Sequence, residues 1–382
     1  MQFFLRACQT AGLALILLFV SAWTGYSQSE SFNFTTNGQV RAIVRSGNMI
    51  YVGGSFTQIG PNTPYGVGVN VTTGTFIGGY ARPNGIVRVS IPDGSGGWYI
   101  GGDFTGIGTV TRSRVAHILA TGAVDAGFTA DANDNVNALV LNGTTLYVGG
   151  LFTTVNGTAR LRVAAVSATT GVVDPGFTAN ANNTVNALVL NGTTLYVGGN
   201  FTTVNGTTAR LRVAAVSATT GVVDPGFTAD ANSIVNALAV NGTTLYVGGA
   251  FTTVNSVSRS NVAAVSATTG VVDPGFTADA NSIVTALAVN GSTLYVGGLF
   301  TTVNSVSRSG IAAVSATTGV VDPGFTADAN NTVNALAVNG TTLYMGGLFN
   351  IVNGASRSNV AAVSAATGAV DPGFTANAIP PL

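Results

Sequence analysis

The side chains able to do chemistry in this sequence are few and evenly spaced. One arginine stands before the third apolar segment of each of the last five repeats, at Arg160, Arg210, Arg259, Arg308 and Arg357. One aspartate follows that segment, at Asp125, Asp174, Asp224, Asp273, Asp322 and Asp371. Guanidinium and carboxylate pair readily through charge-assisted hydrogen bonds, and a pair repeated from blade to blade reads as a tie between strand or blade edges rather than a ring of ligand contacts. A second set sits in oxygen-rich loops: Asp131 and Asn133, Asp230 and Asn232, Asp279 and Asn281, Asp328 and Asn330. Calcium takes six to eight oxygen ligands, and each loop offers too few. Two copies also carry Asn180 and Asn377 where the others have aspartate. Asx turns account for the same residues, so no metal is expected, and these eight side chains are read instead as a polar ligand-binding face.

His117 is the only histidine and Glu30 the only glutamate. A lone histidine lacks the companions that a metal site or a catalytic triad needs, so His117 is expected to be a packed or edge residue. No Gly-x-Ser-x-Gly, His-Glu-x-x-His or phosphate-binding glycine loop occurs. No catalytic residues and no cofactor are expected, and the chain does not read as an enzyme. The alternative is a site built in a central channel by the divergent first two repeats from Asp103, Arg112, Arg114 and His117.

The stretch that must position these residues is Leu245-Tyr-Val-Gly-Gly-Ala-Phe251, which returns seven times. Its glycine pairs begin at Gly53, Gly101, Gly149, Gly198, Gly248, Gly297 and Gly346, a spacing of about 49 residues, and such a period means one supersecondary unit copied along the chain. Alternation places Leu245 and Val247 on one face of a strand and Tyr246 on the other, so both faces are apolar and the sheet should be covered on each side. In Val235-Asn-Ala-Leu-Ala-Val240 the same rule puts Val235, Ala237 and Ala239 together, opposite Leu238 and Val240. Paired glycines inside a strand predict a bulge or a close backbone approach. Asn241-Gly242 predicts a two-residue type I′ hairpin.

Each unit therefore reads as four short strands, in the clearest copy Val235 to Val240, Thr244 to Thr252, Asn261 to Ser266 and Val271 to Phe276, with a polar loop between the second and third. Four strands in about 49 residues fit one propeller blade. An aromatic ends the unit at Phe32, Tyr80, Phe128, Phe177, Phe227, Phe276, Phe325 and Phe374. Eight marks bound seven units, so the expected fold is an all-β, seven-bladed β-propeller of four-stranded blades. A spare terminal strand can complete a blade shared by the two ends. Closure leaves only short strand edges, whereas an open solenoid needs capping units with polar outer faces, and neither end reads as one.

With Leu245-Tyr-Val-Gly-Gly-Ala-Phe251, Ser258-Arg259, Asn261-Val-Ala-Ala-Val265, Thr269-Gly270, Val272-Asp273 and Phe276, the chain resembles the delta-60 repeat family of bacterial β-propellers over nearly all of the mature sequence. The glycine doublet also looks like that of kelch repeats, without the tryptophan typical of them. The resemblance implies a secreted or cell-surface propeller.

The N-terminus carries one positive charge at Arg6, an apolar run from Ala11 to Val20, and Gly25 and Ser27 ahead of Gln28, the pattern of a signal peptide spanning 1–27. The apolar run is shorter than the ~20 residues a membrane span needs. Removal of Cys8 with it leaves residues 28–382 as one cysteine-free domain, with neither disulfides nor thiolate metal sites. Only 7% of residues are charged, there is no lysine, and the formal net charge is zero. That excludes a basic footprint for nucleic acid or anionic membrane. The expected function is an exported, monomeric, non-catalytic scaffold for binding or adhesion, with protein or glycan partners. A passive structural or ice-contacting surface is a further alternative.

Overall fold

A computed structural model of the chain describes residues 36–57, 65–80, 82–206 and 208–374. The signal peptide, Cys8, Glu30, Phe32 and Asn377 lie outside them. In the fifth repeat Val235–Asn241 and Thr244–Gly249 pair antiparallel, with Asn241 opposite Thr244. The hairpin is thus centred on Gly242 and Thr243, one residue later than the sequence reading. Gly242 alone has positive φ (56°), as a turn with glycine at its first central position requires. Asn241 instead closes the strand and donates to Gly291 O of the next repeat at 2.8–2.9 Å, as Asn191 does to Gly242 O.

The second strand is covered on both faces, with Leu245, Tyr246 and Val247 all buried. Its far side pairs with Val262–Ser266. Beyond that the outermost strand shrinks to one bridge, Val265 to Val272, held by Ser266 N to Val271 O and Asp273 N to Ala264 O. It stops there because Pro274 has no N–H to donate and the Asp273 carboxylate turns back to accept from Gly275 N at 2.8 Å. The first repeat alone forms a two-residue fourth strand, Phe76–Ile77. The loop read as irregular between the second and third strands is itself a small hairpin, Thr253–Val254 with Val257–Ser258. Its turn residues, Asn255 and Ser256, both have positive φ (47° and 65°). The signal was present in the Asn-Gly at 156–157, 205–206 and 353–354.

Every inner strand carries a β-bulge opposite its glycine doublet, and the two glycines answer to different neighbours. In the fifth repeat the register slips between Val235 and Ala237. A Cβ on Gly249 would overlap the carbonyl oxygen of Ile234 on the bulged strand. One on Gly248 would press at 2.8 Å against Val284 Cγ1 of the next repeat. The bulge also corrects the face assignment. Because it inserts a residue into the alternation, Val235 lies with Leu238, both against Gly198 of the preceding repeat, and not with Ala237.

The seven inner strands, Val40–Ser46, Val87–Pro92, Val136–Asn142, Val185–Asn191, Val235–Asn241, Val284–Asn290 and Val333–Asn339, each touch the next, and the last touches the first. The described residues thus make an all-β ring with its core divided among seven joints. A typical joint holds Tyr196, Val213 and Ala215 of one blade against Val235, Leu245, Val247 and Val265 of the next, with Phe227 and Phe251 fully buried between them. The joint between first and last blades has the same make-up, with Tyr344, Val360 and Phe374 against Val40, Ile50 and Val69. Among the described residues each sheet comes from one uninterrupted stretch, and the spare N-terminal strand marked by Phe32 lies outside them. At that joint Asn359 Nδ2 donates to Thr36 O at 2.8 Å.

A tyrosine crosses each joint. The hydroxyls of Tyr99, Tyr147, Tyr196, Tyr246 and Tyr295 donate to the carbonyls of Ala168, Ala218, Ala267, Ala316 and Ala365 in the next blade at 2.5–2.7 Å. Tyr344 reaches Val71 O only at 3.4 Å. Tyr246→Phe leaves the Ala316 carbonyl without this donor and is expected to lower stability by about 1–3 kcal/mol. Tyr344→Phe is expected to lose distinctly less. Urea unfolding of the two variants checks the order, and equal losses would show that the hydroxyl bonds do not matter to the joints.

Candidate functional site

The bulge decides which side chain faces the axis. The extra residue is Arg41, Arg88, Asn137, Asn186, Asn236, Thr285 and Asn334 in the seven blades, and all but Asn236 and Thr285 line an axial cavity of about 220 Å³. In four consecutive blades, from the third to the sixth, this residue stitches inner strands together. Asn137 Nδ2 donates to Val185 O, Asn186 to Val235 O and Asn236 to Val284 O at 3.1–3.2 Å, and Thr285 Oγ1 reaches Val333 O at 2.6 Å. Deeper wall positions are small or apolar, including Ala138, Leu139, Leu188 and Leu238.

The first two blades break this ring of amides with two guanidinium groups. Arg88 is held by Asp103, Nε to Oδ1 at 2.5 Å and Nη2 to Oδ2 at 2.8 Å. Asp103 directly follows the second blade's glycine doublet, which sets it beside the bulge. Arg41 has no such partner among the described residues. Burial lowers its pKa, the nearby Arg88 charge lowers it further, and Asp103 only partly offsets them. The Nε of Arg41, Oγ of Ser90 and Nδ2 of Asn334 are buried without a hydrogen-bond partner among the described residues. All three residues line the cavity.

A second cluster surrounds His117. Its Nδ1 lies 2.9 Å from Asp125 Oδ2, its Nε2 3.1 Å from Asp93 Oδ2, and its ring stacks on Tyr99 with centroids 4.3 Å apart. Burial pushes the Asp93 carboxyl up, but hydrogen bonds from Ser95, His117 and Gly97 outweigh it and leave its pKa below the usual carboxylate value. Asp125 is lowered in the same way, its bonds from His117 and Gly127 outweighing burial. Asp93 lies in the widened hairpin of the second repeat. Nothing in the spacing of Asp93 and Asp125 brought them to His117, because that repeat has no counterpart for either Asp93 or His117 in its neighbours.

None of the four residues of the channel-enzyme reading is among those lining the axial cavity, and Arg112 and His117 meet through Asp125. Asp103 is bound to Arg88, His117 to the two other aspartates, and Arg112 donates to the carbonyls of Thr111, Asp125 and Ala126. Arg114 lies at the end of the loop before the third strand with φ 67°.

The recurrent arginines do tie the blade together, but by another acceptor than the carboxylate. Arg160, Arg210, Arg259, Arg308 and Arg357 each donate from Nη2 to the backbone carbonyl of Asp174, Asp224, Asp273, Asp322 and Asp371 at 2.9–3.1 Å. Each of those carboxylates, and Asp125, accepts instead from the glycine two residues on, at 2.8 Å. The loop residues are similarly committed. Asp131, Asp230, Asp279 and Asp328 accept through Oδ1 from the backbone N–H of Ser113, Leu211, Ser260 and Ser309 at 2.7–2.8 Å. Asn133, Asn232, Asn281 and Asn330 accept from the first two N–H groups of the small hairpin, as Asn232 does from Thr252 and Thr253. Through these side chains each interblade loop is bonded to the small hairpin of the blade that follows it.

The profile of a family described as a domain of unknown function (DUF5122) β-propeller matches residues 92–128. Among solved structures, the computationally designed protein Ika8 is 15% identical with a TM-score of 0.57, over 88% of this chain and 87% of its own. The WD40 β-propeller domain of Doa1 is 14% identical with a TM-score of 0.55, over 83% of this chain and 92% of that one. Likeness at this identity shows the β-propeller fold alone. No curated protein matches the chain.

Proposed function

We propose that this chain is an exported, monomeric, non-catalytic binding scaffold whose ligand site is the axial channel, at the end where the inner strands begin. The β-propeller fold supports a scaffold in general terms. One observation favours the channel over the loop face. The repeated Asp and Asn of the loops are engaged in backbone bonds, whereas Ser90 Oγ and Asn334 Nδ2 of the channel wall have no partner among the described residues. Ligand pockets commonly combine apolar walls with a few convergent polar groups, and Arg41, Arg88 and Ser90 beside Ala138 and Leu188 follow that pattern. Export rests on the sequence of residues 1–27. It places the mature chain outside the cell or at its surface, where protein-borne or glycan-borne groups would be its partners.

A thermal-shift panel of neutral saccharides, amines, carboxylates and phosphates tests the site. Asn186→Trp puts a large side chain into the channel wall. At least one ligand class is expected to raise the melting temperature of the unaltered protein and to lose that effect in the variant. A shift retained in full by Asn186→Trp would remove the channel as the site, and the same shift lost on Asn232→Ala would return it to the loops.

A further inference from the structure

The charges at the channel mouth do not cancel. Two guanidinium groups, Arg41 and Arg88, meet one carboxylate, Asp103, on one side of a ring whose other five bulge positions are neutral. The chain as a whole has no net charge, so the surplus is local. It sits beside Ser90 Oγ and Asn334 Nδ2, both buried without a partner among the described residues, and Ser90 is only 7% exposed. Unpaired buried donors are unfavourable, and here three of them gather around one cavity. The shape of the rest is equally informative. Apart from Asn137 and Asn186, whose amides are bonded to neighbouring strands, the remaining wall is alanine, leucine, isoleucine and valine, and about 220 Å³ is room for on the order of seven waters at ~30 Å³ each.

We infer that Arg41, with Ser90 and Asn334, binds the carboxylate of a small organic acid whose apolar body lies against Ala138, Leu139 and Leu188. This rests on the channel being the ligand site and adds the class of ligand. A planar carboxylate matches the guanidinium fork. Its single negative charge matches the single surplus positive charge, whereas a phosphate monoester carries ~1.5 to 2 negative charges at neutral pH and overfills it. Asp103 competes for the same cations and sets the affinity at a moderate level.

Calorimetric titration with benzoate, its neutral analogue benzamide, and phenyl phosphate tests the assignment. Benzoate is expected to bind about ten- to hundredfold more tightly than benzamide, to weaken by a similar factor in Arg41→Gln, and to weaken with added salt. Asp103→Asn removes the competing carboxylate and is expected to tighten benzoate by about two- to tenfold. Benzoate and benzamide binding equally would overturn the carboxylate site. If both were then lost in Asn186→Trp, the channel would stand as the scaffold's site with a neutral ligand. Phenyl phosphate binding tenfold tighter than benzoate also overturns the assignment. Should Arg41→Gln fail to fold, Asp103→Asn decides, and unchanged or weaker benzoate binding there sinks the proposal.

Discussion

Gly249→Ala is expected to destabilise the ring by on the order of 3 kcal/mol or more, the range of an unrelieved core overlap. The reason is local and has nothing to do with glycine's unusual φ values. An added Cβ would run into the Ile234 carbonyl and lie 3.0 Å from Val235 Cα, both backbone atoms of the bulged strand. Backbone held in a ladder on one side and a blade joint on the other has nowhere to move. Gly248→Ala meets only side-chain atoms, Val284 Cγ1 at 2.8 Å and Leu287 Cδ1 at 3.2 Å, which can rotate aside at lower cost. Gly242→Ala meets nothing within 4 Å and loses only what positive φ demands, about 1–2 kcal/mol. Chemical denaturation of the three variants should rank them in that order. A Gly249→Ala protein as stable as Gly242→Ala would mean that the bulge does not exist in solution.

Above about pH 10 the protein should unfold cooperatively, with the phenolate signal rising as the β-sheet signal falls. Burial raises the phenol pKa of Tyr51, Tyr147, Tyr196, Tyr246, Tyr295 and Tyr344. Burial, together with the charges of Asp93 and Asp125, pushes Tyr99 up to about 12. In the unfolded chain these phenols titrate near 10. Their contribution is therefore complete below that value and is lost as pH climbs toward the folded value, because the unfolded state then binds fewer protons than the folded one. Seven such groups at seven joints act together, so stability should be level through neutral pH and then drop steeply. Gradual phenolate formation around pH 10 in a still-folded protein would contradict the tyrosine-bridged joints.

Much of this was legible in the residues, for reasons that can be named. The ~49-residue period, the double-sided apolar strand and the glycine doublet follow from repetition, and repetition reports packing. The small hairpin was missed because Asn255-Ser256 and its Asn-Gly counterparts look like polar loop, although they adopt the positive φ pair that a tight turn uses. Alternation by two fails at a bulge, which is why the faces expected for Val235 and Leu238 differ from those found. The site was illegible for the opposite reason. The charges that recur, such as Arg259 and Asp273, serve the backbone of their own blade. Arg41 and Arg88 occur where the pattern lapses, and only the closed ring shows that these two positions are neighbours of Asn334 and Asn137.

The uninterrupted origin of each sheet has its own bearing on how such rings arise. Among the described residues a joint built from two whole sheets is much the same whichever two blades meet at it. A copy can then be gained or lost, or the chain recut at another interblade loop, with every sheet arriving whole. What registers such a change is the curvature at the axis, and so the width of the opening that Arg41 and Arg88 overlook.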